Sequence, residues 1–247
     1  MPQLVGLPSA PGGLAQATRA WAVNLMLAIL PWTASWSPAS GNGGGLIDTV
    51  VRIDDGGVDV SRLQRLVPET LDDQQRTLYE LISTGPRAAG PQAFRLVGDD
   101  GALEGPFNAM LLCPILGTAL QELGAALRYR TSLSDRAREM AILAVAAHED
   151  SAFEWHAHQA TGRLMGLTDH DFATIRSGLA PADANDVERA VVDVTFRILR
   201  EGDLDDPGFE NAVASLRTEG LQELMTLVGY YHLLALQLRV FRVGAPT

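Results

Sequence analysis

The sequence predicts an all-α protein, in which several helices pack as a bundle with short connections. The composition is rich in alanine, leucine and arginine and poor in aromatic residues, which favours helices over a sheet sandwich. Apolar residues recur at helical spacing, as in Leu116, Leu120, Leu123 and Leu127. No segment alternates apolar and polar residues over a convincing length. Several one-sided helices bury their apolar faces against one another, and this predicts a bundle.

Glycine, proline and capping residues divide the chain into the expected helices. Ser134 is expected to cap a helix that ends near His148, and the next helix is expected over 152–164. Further helices are expected over 72–83, from Pro114, from Thr168, over 186–201, from Asp206 and over 220–243. The last is apolar around much of its circumference, which predicts a subunit interface and a homo-oligomer (a trimer, hexamer or dimer).

Residues 1–47 differ from the rest, because Arg19 is their only charged residue. The apolar segment over 20–31 is too short to span a bilayer. We therefore expect a poorly ordered or signal-like extension at 1–47 and a folded helical domain at 48–247. A cytoplasmic location is expected, with secretion as the alternative if residues 1–40 act as a signal peptide.

Composition excludes several functions. The formal net charge of −11 would repel nucleic acid, and no membrane partner is expected. The chain has no lysine, so it has no amine for a Schiff base and no P-loop. Cys113 is the single cysteine, so no internal disulfide or CxxC redox pair can form. Its apolar neighbours predict a buried thiol.

The residues that can carry chemistry lie between Arg136 and Gly166. Glu154 and His158 are four residues apart on one predicted helix, so they share a face. A carboxylate beside an imidazole raises the imidazole pKa and suits the pair to proton transfer near neutral pH. Glu139 lies on the preceding helix and reaches the same site if the chain folds back in between.

Structural interpretations of the same residues remain open. Ser151-x-x-Glu154 matches a capping box, in which Glu154 only bonds the start of its own helix. Glu154 and His158 can also form a solvated surface pair. Glu139 could join them as metal ligands, but the chain has neither HExxH nor a Cys/His cluster, so no metal is expected.

The same segment resembles the core motif of the carboxymuconolactone decarboxylase family. It contains Arg136-Ala137-Arg138-Glu139 at a helix start, an apolar helix, Glu154-Trp155-His156-Ala157-His158, and Gly166-Leu167. The resemblance implies an alkylhydroperoxidase D-like helical bundle that uses no metal and no organic cofactor. In the related alkylhydroperoxidase D branch, the two redox cysteines fall at the positions of Ser151 and Glu154. Because both thiols are missing, thiol-dependent peroxidase chemistry of that type is expected to be absent.

The decarboxylase branch implies a cofactor-free lyase that acts by general acid–base chemistry on a small carboxylated or lactone-type substrate. His158 is then the expected proton donor. Glu139 orients it or holds its proton, and Glu154 tunes its pKa. Two alternatives remain: a peroxidase-like or redox protein on the same fold, and a non-catalytic helical oligomer.

The expected substrate is a small anion. Such a ligand needs a cation, for which Arg138 or Arg136 is the candidate. Trp155 and Ser151 complete the predicted substrate-binding residues, with Trp155 as a pocket wall.

Overall fold

A computed structural model describes residues 61–89 and 95–245 of the chain. Within these residues it shows nine α-helices, one short 3-10 helix (Pro68–Thr70) and no strand beyond an isolated bridge between Val97 and Leu103. The predicted all-α class is confirmed. The predictions for residues 1–47 lie outside the described residues.

The helices range in length from 4 to 36 residues. In order they are α1 (Asp73–Thr84), α2 (Pro86–Ala89), α3 (Pro106–Met110), α4 (Pro114–Tyr129), α5 (Asp135–His148), α6 (Ala152–Leu164), α7 (Asp169–Arg176), α8 (Asp186–Glu201) and α9 (Asp206–Phe241).

Side-chain caps fix where several helices begin. Asp72, Thr168 and Asn185 each accept a hydrogen bond from the backbone three residues on, and each completes a reciprocal capping box. Ser134 accepts from the Ala137 amide at the start of α5. These contacts satisfy amide groups that the first helical turn leaves without partners, so helix starts were well predicted from sequence.

Helix α5 is the centre of the bundle. Every residue from Ala137 to Ala146 is buried, and the helix packs against α6, α7, α8 and α9. A helix that is enclosed on all sides needs apolar residues around its whole circumference. The few polar groups that α5 does bury, Arg138 and Glu139, therefore need specific partners.

Helix α9 does not divide where the sequence predicted. We expected one helix from Asp206 and another from Gly220, but the helix continues through Gly220 and is interrupted at Arg217. Arg217 has φ 62° and ψ 166°, a region that residues with a Cβ rarely occupy. The interruption therefore lies before the predicted start of the last helix, and Gly220 is a buried residue within the helix.

Among the described residues, α9 alone is long and apolar enough to cross a membrane by length and composition. The most apolar part of α9 has a mean hydropathy of 1.3, and 44% of it is buried inside the protein. Its buried face packs against α5 and α8. We therefore interpret α9 as a core helix with one outward apolar face.

The prediction that Cys113 is buried was wrong, because its side chain is exposed. Cys113 precedes the first turn of α4, where Leu112, Ile115 and Leu116 are exposed as well. This apolar run covers the outside of the described structure rather than its core. Apolar character alone did not distinguish the two locations.

Candidate active site

The turn between α5 and α6 folds the two helices back on each other, as predicted. Asp150 takes a left-handed conformation (φ 48°), and the Ser151 amide donates to the Ala146 carbonyl at 3.0 Å. Such a turn ends a helix and reverses the chain. It brings Glu139, in the second turn of α5, beside His158 in the middle of α6.

Glu139, His158 and Glu154 form a buried triad of side chains. The Nδ1 atom of His158 lies 2.6 Å from Glu139 Oε2, and its Nε2 atom lies 3.3 Å from Glu154 Oε2. Each of the three residues is only 3% exposed. The surface-pair interpretation is therefore wrong. The capping-box interpretation is also wrong, because the Ser151 side chain makes no capping hydrogen bond.

The triad holds His158 in its protonated form. Burial lowers the imidazole pKa, but the negative charge of Glu139, the Tyr231 hydroxyl and the hydrogen bonds to Glu139 and Glu154 outweigh it and raise the pKa to about 10. At neutral pH the imidazolium donates Nδ1–H to Glu139, and its Nε2 forms an ion pair with Glu154. Neither ring nitrogen is left open to a ligand.

Two polar residues that the sequence analysis missed adjoin the triad. Tyr231, on α9, stands edge-on to the His158 ring at 5.1 Å between centroids. Arg128, on α4, lines the same small cavity as Tyr231. Burial lowers the Arg128 pKa, but Tyr231 and the charge of Glu139 more than compensate and raise it above its usual value.

A signal for Arg128 was present in the sequence. Gly117, Gln121, Gly124 and Leu127 are the buried positions of α4, and Arg128 continues their helical spacing. A charged residue on the buried face of a helix points to a partner or a ligand. Tyr231 carried no comparable signal, because a tyrosine in an apolar helix is an ordinary core residue.

Four of these polar side chains surround a cavity of about 20 Å³: Arg128, Glu154, His158 and Tyr231. The rest of its lining is apolar or aromatic and includes Phe107, Phe153 and Leu234. This space holds about one water molecule. Glu154 Oε1 is buried and has no hydrogen-bond partner among the described residues. It is therefore the oxygen of the triad that is available to a ligand.

A glycine keeps one wall of the cavity in place. Gly105 (φ 58°) precedes α3, and a Cβ at this position would come within 2.1 Å of the Phe153 ring. The backbone there can approach the ring closely because glycine has no side chain. Phe153 is thereby fixed against α3.

The two arginines predicted to bind substrate lie away from the cavity. Arg136 pairs with Glu188 at 2.6 Å and with Asp183 at 2.9 Å. Arg138 bonds Asp135, its neighbour in the first turn of α5. Neither side chain lines the cavity, so their predicted role gains no support from the geometry.

Trp155 and Ser151 do not line the cavity either. Trp155 packs edge-on against Phe172, with the Arg176 guanidinium 4.0 Å above its ring. Ser151 is buried at the start of α6, and its hydroxyl has no hydrogen-bond partner in the described structure. Among residues 61–89 and 95–245, no group of three His, Cys, Asp or Glu side chains could hold a metal ion.

The family model described as "Carboxymuconolactone decarboxylase family" matches residues 114–197, which include the whole triad and Arg128. The resemblance found in the motifs is thus confirmed. Comparison with curated proteins gives no significant match for this chain.

Solved structures similar to this chain share its fold at low sequence identity. A peroxidase-related protein from Ralstonia eutropha with an alkylhydroperoxidase AhpD core is 16% identical, covers 75% of this chain and 92% of its own, and has a TM-score of 0.60. A peroxidase-related protein from Silicibacter sp. is 14% identical, covers 76% of this chain and 92% of its own, and has a TM-score of 0.59. The debrominase Bmp8 in complex with 2,3,4-tribromopyrrole is 11% identical, covers 75% of this chain and 91% of its own, and has a TM-score of 0.58. These likenesses confirm the alkylhydroperoxidase D-like helical fold.

Proposed function

We propose that this protein is a cofactor-free lyase that decarboxylates a small carboxylated or lactone-type substrate by general acid–base chemistry. The observation that carries the proposal is the triad: a buried imidazolium held between two carboxylates at the wall of a largely apolar cavity. Buried charges are costly, so a plain structural core would not be expected to contain them. The match to the carboxymuconolactone decarboxylase family model supports the reaction type.

The proposed reaction consumes one proton for each carbon dioxide released. The bond between the substrate carbon and its carboxylate breaks, and the electron pair passes into the conjugated lactone. A proton is then delivered to the carbon. An apolar cavity favours the loss of carbon dioxide. Transfer out of water destabilises the localised charge of the substrate carboxylate more than the delocalised negative charge that forms when the bond breaks.

The geometry favours Glu154 as the group that delivers this proton, rather than His158 as the sequence suggested. Both nitrogens of His158 are already paired with a carboxylate, whereas Glu154 Oε1 has no hydrogen-bond partner among the described residues. In this proposal Glu154 takes up a proton from solution when the substrate binds and donates it from Oε1, and the negative charge that it regains is stabilised by His158, whose Nε2 lies 3.3 Å from the other carboxylate oxygen. Glu139 keeps His158 charged and oriented. His158 and Glu139 then act as positioning residues.

The substitution Glu154→Gln tests this role. Glutamine keeps the size of the side chain but cannot give up a proton as a carboxylic acid does, so we expect turnover to fall about 100-fold or more. Carbon dioxide release from a carboxylated γ-lactone measures the effect. The matched control is Glu122→Gln, an exposed position on α4, which should keep full turnover. A folded Glu154→Gln variant with wild-type turnover would refute the proposal.

A thiol peroxidase is the weaker alternative, although two structural neighbours are peroxidase-related proteins. The chain has one cysteine, Cys113, which is exposed and lies outside the triad and the lining of its cavity. Ser151 and Glu154 occupy the positions where a redox pair would be needed, and neither can form a disulfide. A non-catalytic oligomer would leave the unpaired Glu154 oxygen unexplained.

A further inference from the structure

We propose that Arg128 and Tyr231 form a carboxylate-binding subsite beside Glu154. The inference rests on the proposed function and extends it, because it identifies the groups that hold the substrate's carboxylate. Its test is a binding measurement, so it can fail or succeed independently of turnover.

Arg128 is a cation at the cavity wall that lacks a carboxylate partner. It makes no ion pair within 4 Å among the described residues, whereas Arg136 and Arg239 each hold a carboxylate. A planar guanidinium matches a carboxylate through two parallel hydrogen bonds. An anion in the cavity would therefore supply the partner that the described protein does not.

Tyr231 can provide a second donor to the same anion. It lines the cavity together with Arg128, and its ring stands edge-on to the ring of His158. The two residues come from different helices, α4 and α9, which converge on the cavity. The apolar walls, such as Phe107 and Phe153, exclude water and so strengthen the attraction between charges.

The charges around the cavity predict that a carboxylate binds together with a proton. The ionisable groups that line the cavity are Arg128, Glu154, His158, Tyr230 and Tyr231, and Glu139 lies behind them in contact with His158. With the arginine and the imidazole protonated and both glutamates ionised, the set is neutral. A bound carboxylate adds one negative charge, which a proton on the free Oε1 of Glu154 would offset. The complex would then hold the proton that decarboxylation consumes.

Formate is the most suitable probe, because it is the smallest carboxylate and the cavity holds about one water. Formamide has nearly the same shape and no charge. We expect the wild-type protein to bind formate and to bind formamide at least about tenfold more weakly, since charged hydrogen bonds are the stronger ones. Isothermal titration calorimetry on the full chain measures both.

Substitutions then locate the bound anion. Arg128→Gln should weaken formate binding about 10- to 100-fold and leave formamide unchanged. The matched control Arg130→Gln removes an exposed arginine two residues away and should change neither. If Arg128→Gln does not fold, Tyr231→Phe provides the test, with a smaller but measurable loss of formate affinity.

The pH dependence of formate affinity provides a second test. Wild-type formate affinity should fall up to about tenfold per pH unit above neutrality, because one proton enters with the anion. Glu154→Gln should remove that dependence and still bind formate. Equal formate affinity in wild type and in a folded Arg128→Gln or Tyr231→Phe variant would overturn the subsite, as would no difference between formate and formamide. Loss of turnover without loss of formate binding would instead concern the proposed reaction alone.

Discussion

Two carboxylates make a charged imidazole tolerable at a buried position. His158 is 3% exposed, and an isolated ion there would be strongly unfavourable. Glu139 at 2.6 Å and Glu154 at 3.3 Å offset that cost. Breaking such a buried pair by removing one partner typically costs about 3–5 kcal/mol. Loss of one residue of the triad is thus expected to lower the stability of the fold as well as to alter the chemistry of the site.

The raised pKa of His158 predicts how stability depends on pH. The imidazole binds its proton more tightly in the folded than in the unfolded protein, so its contribution is complete below about pH 6.5. It is lost as the pH rises toward about 10. We expect the free energy of unfolding to decrease across this window, by at most about 1.4 kcal/mol per pH unit from this group.

Urea denaturation at several pH values measures this effect. The variant His158→Gln should flatten the decrease between pH 7 and 10. The control His156→Gln removes an exposed imidazole on the same helix and should leave it in place. An equal pH dependence in His158→Gln and wild type would show that another group is responsible.

The residues of the triad were predictable, but those beside it were not. The spacing of Glu154 and His158 is a local property of one helix, so the sequence alone shows that they share a face. Arg128 and Tyr231 come from α4 and α9, separated by more than a hundred residues. Only tertiary packing brings them together. Arg136 and Arg138 were predicted to bind substrate because they lie near the triad in sequence, and sequence alone does not show which arginine is near it in the folded protein.

At the level of the helices, capped starts and tight turns were predicted well and interruptions were not. The capping box at Thr168 and the N-cap at Ser134 are encoded by residues within one turn. The polar residues at 149–151 marked the reversal between α5 and α6. The interruption at Arg217 has no local signature, because arginine ordinarily favours a helix.

The backbone at Arg217 predicts a stabilising substitution. Its φ of 62° and ψ of 166° are costly for a residue with a Cβ, by about 1–3 kcal/mol. Glycine removes that strain but adds freedom to the unfolded chain. We expect Arg217→Gly to raise the free energy of unfolding by about 1 kcal/mol, as measured by urea denaturation.

Arg217→Ala is the control, because it removes the same exposed side chain and its 3.7 Å contact with Glu219 but keeps the Cβ. It should give no gain in stability. If the alanine and glycine variants are equally stable, the backbone conformation at this position is not strained.

For the molecule as a whole, the outward face of α9 bears on the predicted homo-oligomer. Met225, Leu233, Leu236 and Val240 are each 37–51% exposed and follow one another at helical spacing. Contiguous apolar surface of this kind commonly marks an interface. The assembly itself remains a prediction.

Analytical ultracentrifugation tests that prediction. We expect the wild-type protein to sediment as a homo-oligomer and Leu236→Glu to shift it to a smaller species, because a buried charge destabilises an interface. The control Leu179→Glu changes a leucine that is 61% exposed in the segment between α7 and α8 and should have no effect. A wild-type protein that sediments as a monomer would contradict the expectation.

The volume of the cavity has a consequence for the timing of any reaction within it. A cavity with room for about one water cannot hold a larger molecule unless the residues that line it move. Under the proposed function, substrate entry and product release would wait for that movement. The rate of the movement, rather than the breaking of the bond, would then limit turnover.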